Sequence, residues 1–586
     1  MKTSWMVATT LLASACQGGA SDARDGGGDD REQRVLEVPA TRALSSATPV
    51  VAATADGAVD KVDLLLMIDN SISMSDKQQI LANALPDLMS RLVNPACVDE
   101  QGNVYPPPPE GSSECPSGQH REFQPIGDIH VGIISSSLGD GGANAACPGE
   151  GFERHVPDRL DMSHLLGSLE RSQAETNAFG FLEWQAGSTD PSEFNRNFQQ
   201  LVQDVGEQGC GWEAQLESWY RFLVDPVPYQ ALMRATCPGS ASTAQNCIQR
   251  ATGPDGRFLL DETLLAQRDA FLRPDSLVAI VMLTDENDCS LQVGAQSWTV
   301  FAIEDQRPMF KGSSVCAEDP NAQCCYSCPL SPPKGCAPDP SCSADPSNLN
   351  RLPLELDGQN LRCFEQKRRF GIDFLYPTQR YVNALTQAEL CWSADDLSLE
   401  DCDEADLFPN PLFAGGRSAD RVLLAGIVGV PRQALETAEG VAEPGGSSAG
   451  VRFKSYEELT RDGVWDQILG SPGVPWQARE GSRPAVSSSP PVPPTLAQMV
   501  ESPLPRAGVE AGNPLNGREY DTTQDSATQV GSPLRADDLQ YACISPLPVP
   551  RDCAALDPEQ DNCDCFEDNR DRPLCEQVPG VTAPGT

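Results

Sequence analysis

Val62-Asp63-Leu64-Leu65-Leu66-Met67-Ile68, followed by Asp69-Asn70-Ser71-Ile72-Ser73, decides the fold. The first seven residues are nearly all apolar and do not alternate, which is how a parallel strand buried on both faces reads. At its end the chain turns polar, placing a carboxylate and two hydroxyls at alternate positions. Such a D-x-S-x-S turn can aim three small oxygen donors at one point. A hard divalent cation such as Mg2+ takes oxygen ligands at about 2.0–2.1 Å in near-octahedral geometry. Two of the three donors are neutral, so the ion stays electrophilic and can accept a carboxylate from outside. Asp69, Ser71 and Ser73 are therefore candidate ligands.

A second run, Leu277-Val278-Ala279-Ile280-Val281-Met282-Leu283, ends in Thr284-Asp285-Glu286. In open α/β sheets, ligands gather at the carboxyl ends of strands, where the strand order reverses. If the two runs are neighbours there, Asp285 faces Asp69. This pairing resembles the von Willebrand factor type A domain and its metal-ion-dependent adhesion site. The resemblance implies a doubly wound, mostly parallel, Rossmann-like α/β sheet. It makes Asp69, Ser71 and Ser73 the first three ligands and Asp285 the distal one, directly or through water. It implies Mg2+, or Ca2+ or Mn2+, as cofactor, and a protein ligand that offers an Asp or Glu. The family also takes a threonine ligand from an intervening loop. The corresponding stretch here, Gly206-Glu207-Gln208-Gly209-Cys210-Gly211-Trp212-Glu213, has no Thr. Glu213 is the nearest oxygen donor; it reads either as a substitute ligand or as a carboxylate favoured at a helix start.

The chain opens Met1-Lys2, runs uncharged from Trp5 to Ala15, and reaches Leu12-Ala13-Ser14-Ala15-Cys16-Gln17. A positive start, a short apolar stretch and small residues describe a secretory signal. The stretch is too short to span a bilayer as a helix. Cysteine directly after small residues resembles the bacterial lipoprotein motif, which makes Cys16 the lipidated residue and the membrane a partner through that lipid. Ordinary cleavage near Ala15 is the alternative. Gln17 in place of Asp points, by resemblance, to the outer membrane or cell surface.

The net charge of −42 argues against nucleic acid, whose phosphates it repels. The 22 Cys fit an oxidising compartment. Cys324-Cys325-Tyr326-Ser327-Cys328 contains a C-x-x-C, but no His lies nearby, so disulfides are expected there and not zinc. With four His, imidazole catalysis has few candidates. Gly446-Ser447-Ser448-Ala449-Gly450 matches G-x-S-x-G inside a linker, without the strand a nucleophile elbow needs. No catalytic group is assigned.

The organisation expected is a signal peptide over 1–15, a tether over 16–60 and the α/β domain over 61–435 with a Cys-rich insertion at about 290–370. A Pro/Gly/Ser-rich linker follows over 436–535, then a Cys-rich segment over 536–586. Within the domain, Asp128–Ile134 reads as a strand and 139–188 as loop-rich. Asp190-Pro191 should start a helix with Phe194, Phe198, Leu201 and Val205 on its buried stripe. Pro86 should kink or split the helix over Asp76–Val93. Glu286 and Asp288 read as solvated or supporting carboxylates, and Leu539–Ile544 as a last strand returning to the sheet. Two functions follow: a cation-dependent adhesive protein, or a structural envelope lipoprotein with a degenerate metal site.

Overall fold

The computed structural model describes residues 59–464, with its longest gaps at 142–160, 393–401 and 436–453, and beyond these only 499–502 and 540–543. Cys16, Ser73, Ser448 and almost all of the expected linker and C-terminal segment lie outside the described residues. The chain divides into two compact units. One holds the residues up to Ala302 and Leu375–Val428; the other holds Ile303–Phe374 and the residues from Gly429 onward.

The first unit is built on a five-stranded sheet of β1 (Lys61–Ile68), β2 (Asp128–Ser135), β3 (Leu182–Gln185), β4 (Leu277–Leu283) and β5 (Val422–Ile427). Its order is β5-β4-β1-β2-β3, with every pair parallel except β2 and β3. The chain walks outward from β1 to β3 on one side, then restarts at β4 on the other. The order thus reverses between β1 and β4, the position at whose carboxyl ends open α/β sheets place their ligands. Ile68 lies opposite Leu283 in register, so Asp69 and Thr284 leave the sheet side by side.

Burial on both faces explains the continuous apolar runs. Leu64, Leu66 and Ile68 pack with Met74 just before α1 (Ser75–Val93), Leu85 and Met89 within it, and Phe194, Phe198 and Leu201 of α2 (Pro191–Gln203). Leu65 and Met67 point to the other face. There they join Trp219 and Phe222 of α3 (Gln215–Leu223), Leu264 and Phe271 of α4 (Glu262–Phe271) and Tyr381 of α5 (Thr378–Thr386). Each buried side chain of this size contributes about 1.5–3 kcal/mol by leaving water. Asp190 caps α2 as its sequence predicts, accepting from Glu193 N at 2.9 Å, with Pro191 just inside.

Two sequence expectations are corrected. α1 runs through Pro86 without a break. A proline leaves the carbonyl four residues earlier without its helical donor, and here Gln199 Nε2 of α2 supplies Ala82 O with a hydrogen bond of 3.0 Å. The stretch 139–188 is loop-rich among the described residues, as expected, and also yields strand β3, the antiparallel edge, whose Leu182 and Trp184 are buried between exposed Glu183 and Gln185. Gln540–Cys543 is a strand, but it pairs antiparallel with Met499–Ser502 and not with the main sheet. His130 is a packed residue, with Nδ1 2.9 Å from Phe271 O and its ring 4.7 Å from that of Phe181.

The cysteines form disulfides, the C-x-x-C included. Cys325 bonds Cys316, Cys328 bonds Cys342 and Cys324 bonds Cys336, all in the second unit. In the first unit, Cys97–Cys115, Cys237–Cys247 and Cys391–Cys402 close further loops. Cys237–Cys247 closes the end of an antiparallel pair, Leu232–Thr236 with Asn246–Arg250.

Candidate metal site

Asp69 is fully buried where β1 ends. Its backbone N–H extends the pairing to β4 by donating to Leu283 O at 2.9 Å. Oδ1 accepts the Ser71 N–H at 2.8 Å, the hydrogen bond that folds a D-x-S turn onto its own carboxylate. Oδ2 accepts the Thr284 hydroxyl at 2.6 Å from the next strand. Gln78, one turn into α1, holds the turn from behind by donating to both Asp69 O and Gly206 O at 2.9 Å.

Asn70 ties this turn to β2 and to the loop before α3. Its Oδ1 accepts from Ser137 Oγ at 3.0 Å and Ser136 Oγ at 3.2 Å. Its carbonyl accepts the Gly209 N–H at 2.9 Å. A β-carbon on Gly209 would stand 2.3 Å from Asn70 Oδ1, so only glycine permits the approach. Two residues past the gap at 210–211, Glu213 bridges Ser137 in an antiparallel contact, and its carbonyl accepts Cys289 N at 2.7 Å. The Thr-free loop thus brings Glu213 to the end of the sheet, on the β2 side of Asp69.

Four carboxylates gather here: Asp69, Glu213, Asp285 and Glu286. Burial raises the Asp69 carboxyl above its ordinary value against the opposing Thr284 and Ser71 hydrogen bonds, and Asp285 adds to the rise. Glu213 is pushed up to about 7 by burial and by the negative charge of Asp69. Glu286 stands at the exposed mouth, yet its carboxyl is crowded by protein and pushed up to about 9 by that burial and by Glu213 and Asp69. The Glu213 and Glu286 carboxyls lie within hydrogen-bonding reach of each other. Asp285 forms an ion pair at 3.2 Å with Lys77 of α1. Asp288 faces away, accepting Leu216 N at 3.0 Å and Ser290 Oγ at 2.8 Å, and serves the start of α3.

Of the sequence-derived candidates, Asp69, Ser71, Asp285 and Glu213 lie together at the carboxyl ends of β1 and β4, and Ser73 lies outside the described residues. Thr284 and Glu286 also belong to the cluster. Their position straight after the β4 apolar run is the signal that could have found them. The donor set is all oxygen and largely anionic, which suits a hard cation. Its raised carboxyls mark crowded negative charge, which a divalent ion would relieve. Among the described residues, no three His, Cys, Asp or Glu side chains form a ready-made ligand group. A cation here therefore has to draw on hydroxyls as well as carboxylates, as the D-x-S-x-S turn offers.

No protein-family model matches the chain, and no curated protein or solved structure is significantly similar to it. Among the described residues, no helix is long and apolar enough to cross a membrane.

Proposed function

We propose that this chain is an exported, lipid-anchored binding protein whose von Willebrand A-like domain takes a protein ligand through a divalent cation. The observation that supports it best is the buried Asp69 carboxylate. It accepts from Thr284 across the one place where the strand order reverses, with Asp285 and Glu213 beside it. Asp69, Ser71 and Ser73 would hold the ion from the β1 side. Asp285, with Glu213 in place of a threonine, would approach it from the others. When bound, the ion supplies the positive charge that attracts an Asp or Glu of the partner. Thr284 fixes one oxygen of Asp69, and Asn70 fixes the turn against Ser136 and Ser137, so the donors are oriented before the ion arrives. Lipidation at Cys16 would place the domain at the outer membrane or cell surface.

A second reading, an envelope scaffold with a degenerate site, is favoured by the missing loop threonine and by the lack of a ready-made ligand group among the described residues. Calorimetry with Mg2+, Ca2+ and Mn2+, and a pull-down from envelope extracts with and without chelator, separate the two. Asp69→Ala is expected to abolish both cation uptake and chelator-sensitive capture while leaving the circular dichroism spectrum unchanged. Capture that is equal in chelator and in Mg2+ rejects the adhesive reading. No cation uptake by the wild-type chain supports the scaffold.

A further inference from the structure

The cation-site reading leaves one nearby charge unused. Lys77 stands in the first turn of α1, where the helix dipole disfavours a cation. Its Nζ lies 3.2 Å from Asp285 Oδ2, and both side chains keep solvent access, at 37% and 24%. The pair links the helix that follows the D-x-S-x-S turn to the acidic end of β4. It therefore spans the same gap that a bound ion would close. Asp69, Glu213 and Glu286 sit beside Asp285, and Lys77 brings an ammonium against this group of four acids.

We propose that Lys77 is the internal counter-ion of this site: it holds Asp285 while no divalent cation is bound and gives it up when one enters. A divalent ion offers Asp285 a stronger partner and repels the ammonium. The flexible, hydrated Lys side chain can swing into solvent without disturbing α1. Cation binding then has to displace the Lys77–Asp285 pair, which weakens it. It also exposes a fresh positive charge on the rim, next to where an acidic partner would dock. This inference rests on the proposed site being a cation site.

The test is calorimetric titration of MgCl2 and of CaCl2 into the metal-free full chain, as wild type, Asp69→Ala, Lys77→Met and Lys77→Arg. In parallel, acylation of Lys77 by a small amine reagent is followed by mass spectrometry in chelator and at saturating cation. Replacing a partly exposed pair partner should tighten cation binding about two- to fivefold in Lys77→Met. Lys77→Arg should stay near wild type, and Lys77 should acylate faster once the cation is bound. Cation binding that is lost in Asp69→Ala, but is unchanged or weaker in Lys77→Met, overturns the counter-ion role alone. So does unchanged Lys77 acylation in the same samples. Absence of cation binding in every chain overturns the site and the counter-ion role together.

Discussion

β1 carries a buried aspartate at each end, and the two are treated in opposite ways. At the amino end, Asp63 is fully buried and fully answered. Arg273 donates to it from both its backbone N–H and its Nε at 2.8 Å, and Ser276 Oγ donates at 2.5 Å. Arg273 continues to Asp128 at 2.5 Å and to Val62 O at 2.9 Å, while Arg417 Nε reaches Ser276 O at 2.9 Å. At the carboxyl end, Asp69 is equally buried but receives hydroxyl and backbone N–H groups, from Thr284 and Ser71. Asp285 beside it is an acid that pushes its carboxyl further up, and Lys77 pairs with Asp285. A buried acid with a guanidinium is architecture. A buried acid among acids is a place kept ready for something else, because folding gains nothing from it.

The comparison breaks most directly at Asp63. Asp63→Ala should destabilise the fold by about 3–5 kcal/mol, since it strands the Arg273 guanidinium, whereas Asp69→Ala in chelator should cost far less or nothing. Urea unfolding of both variants checks this, and equal losses would erase the distinction between the two ends. A smaller effect of opposite sign is expected from Glu213→Gln, which removes a buried acid from the carboxyl-end cluster. In chelator it should stabilise the chain by on the order of 1 kcal/mol, and in the adhesive reading it should weaken cation uptake.

The smallest effect is a contrast in pH dependence. Glu213 and Glu286 sit above their ordinary values, so the folded metal-free chain binds more protons than the unfolded one. Their contribution is complete below the ordinary carboxylate range and is lost as pH rises toward about 7 and then about 9. Asp261, the cap of α4, behaves oppositely. Burial alone would raise it, but the His164 hydrogen bond and charge, with the Arg221 guanidinium, hold it below its ordinary value. Its contribution is present above that ordinary value and fades as pH falls through the depressed one. Melting temperatures in chelator should therefore fall between pH 6 and 9 in wild type, and fall less in Glu213→Gln. Asp261→Asn should flatten only the acid side.

The strand pair that carries the site was legible because both runs are apolar at nearly every position, and only a strand covered on two faces needs that. The polar ends were legible for the same reason, since a carboxylate placed directly after such a run has nowhere to go but the sheet's edge. What could not be read depends on distant partners. Pro86 breaks a helix by local rules, yet a donor from Gln199, 117 residues from Ala82, repairs the helix. β3 is four residues long, too short for its alternation to stand out from a loop. Glu286 looked like a solvated neighbour of Asp285 because nothing in the sequence places Glu213 against it. Nothing in the sequence singles out Lys77, because its partner Asp285 lies just past β4, more than 200 residues away.

The six disulfides described above share one property: each joins cysteines only 9 to 18 residues apart. At a synthesis rate of about 5–20 residues per second, both thiols of such a bridge emerge within a few seconds of each other. For these six bridges, correct pairing then needs no knowledge of the finished topology; Cys289 and Cys363, also disulfide-bonded, are not among them. Each loop can be sealed by a local oxidant in the order in which it is made, before β5 exists to complete the sheet. A chain assembled this way can tolerate insertions between its bridges without risking their scrambling.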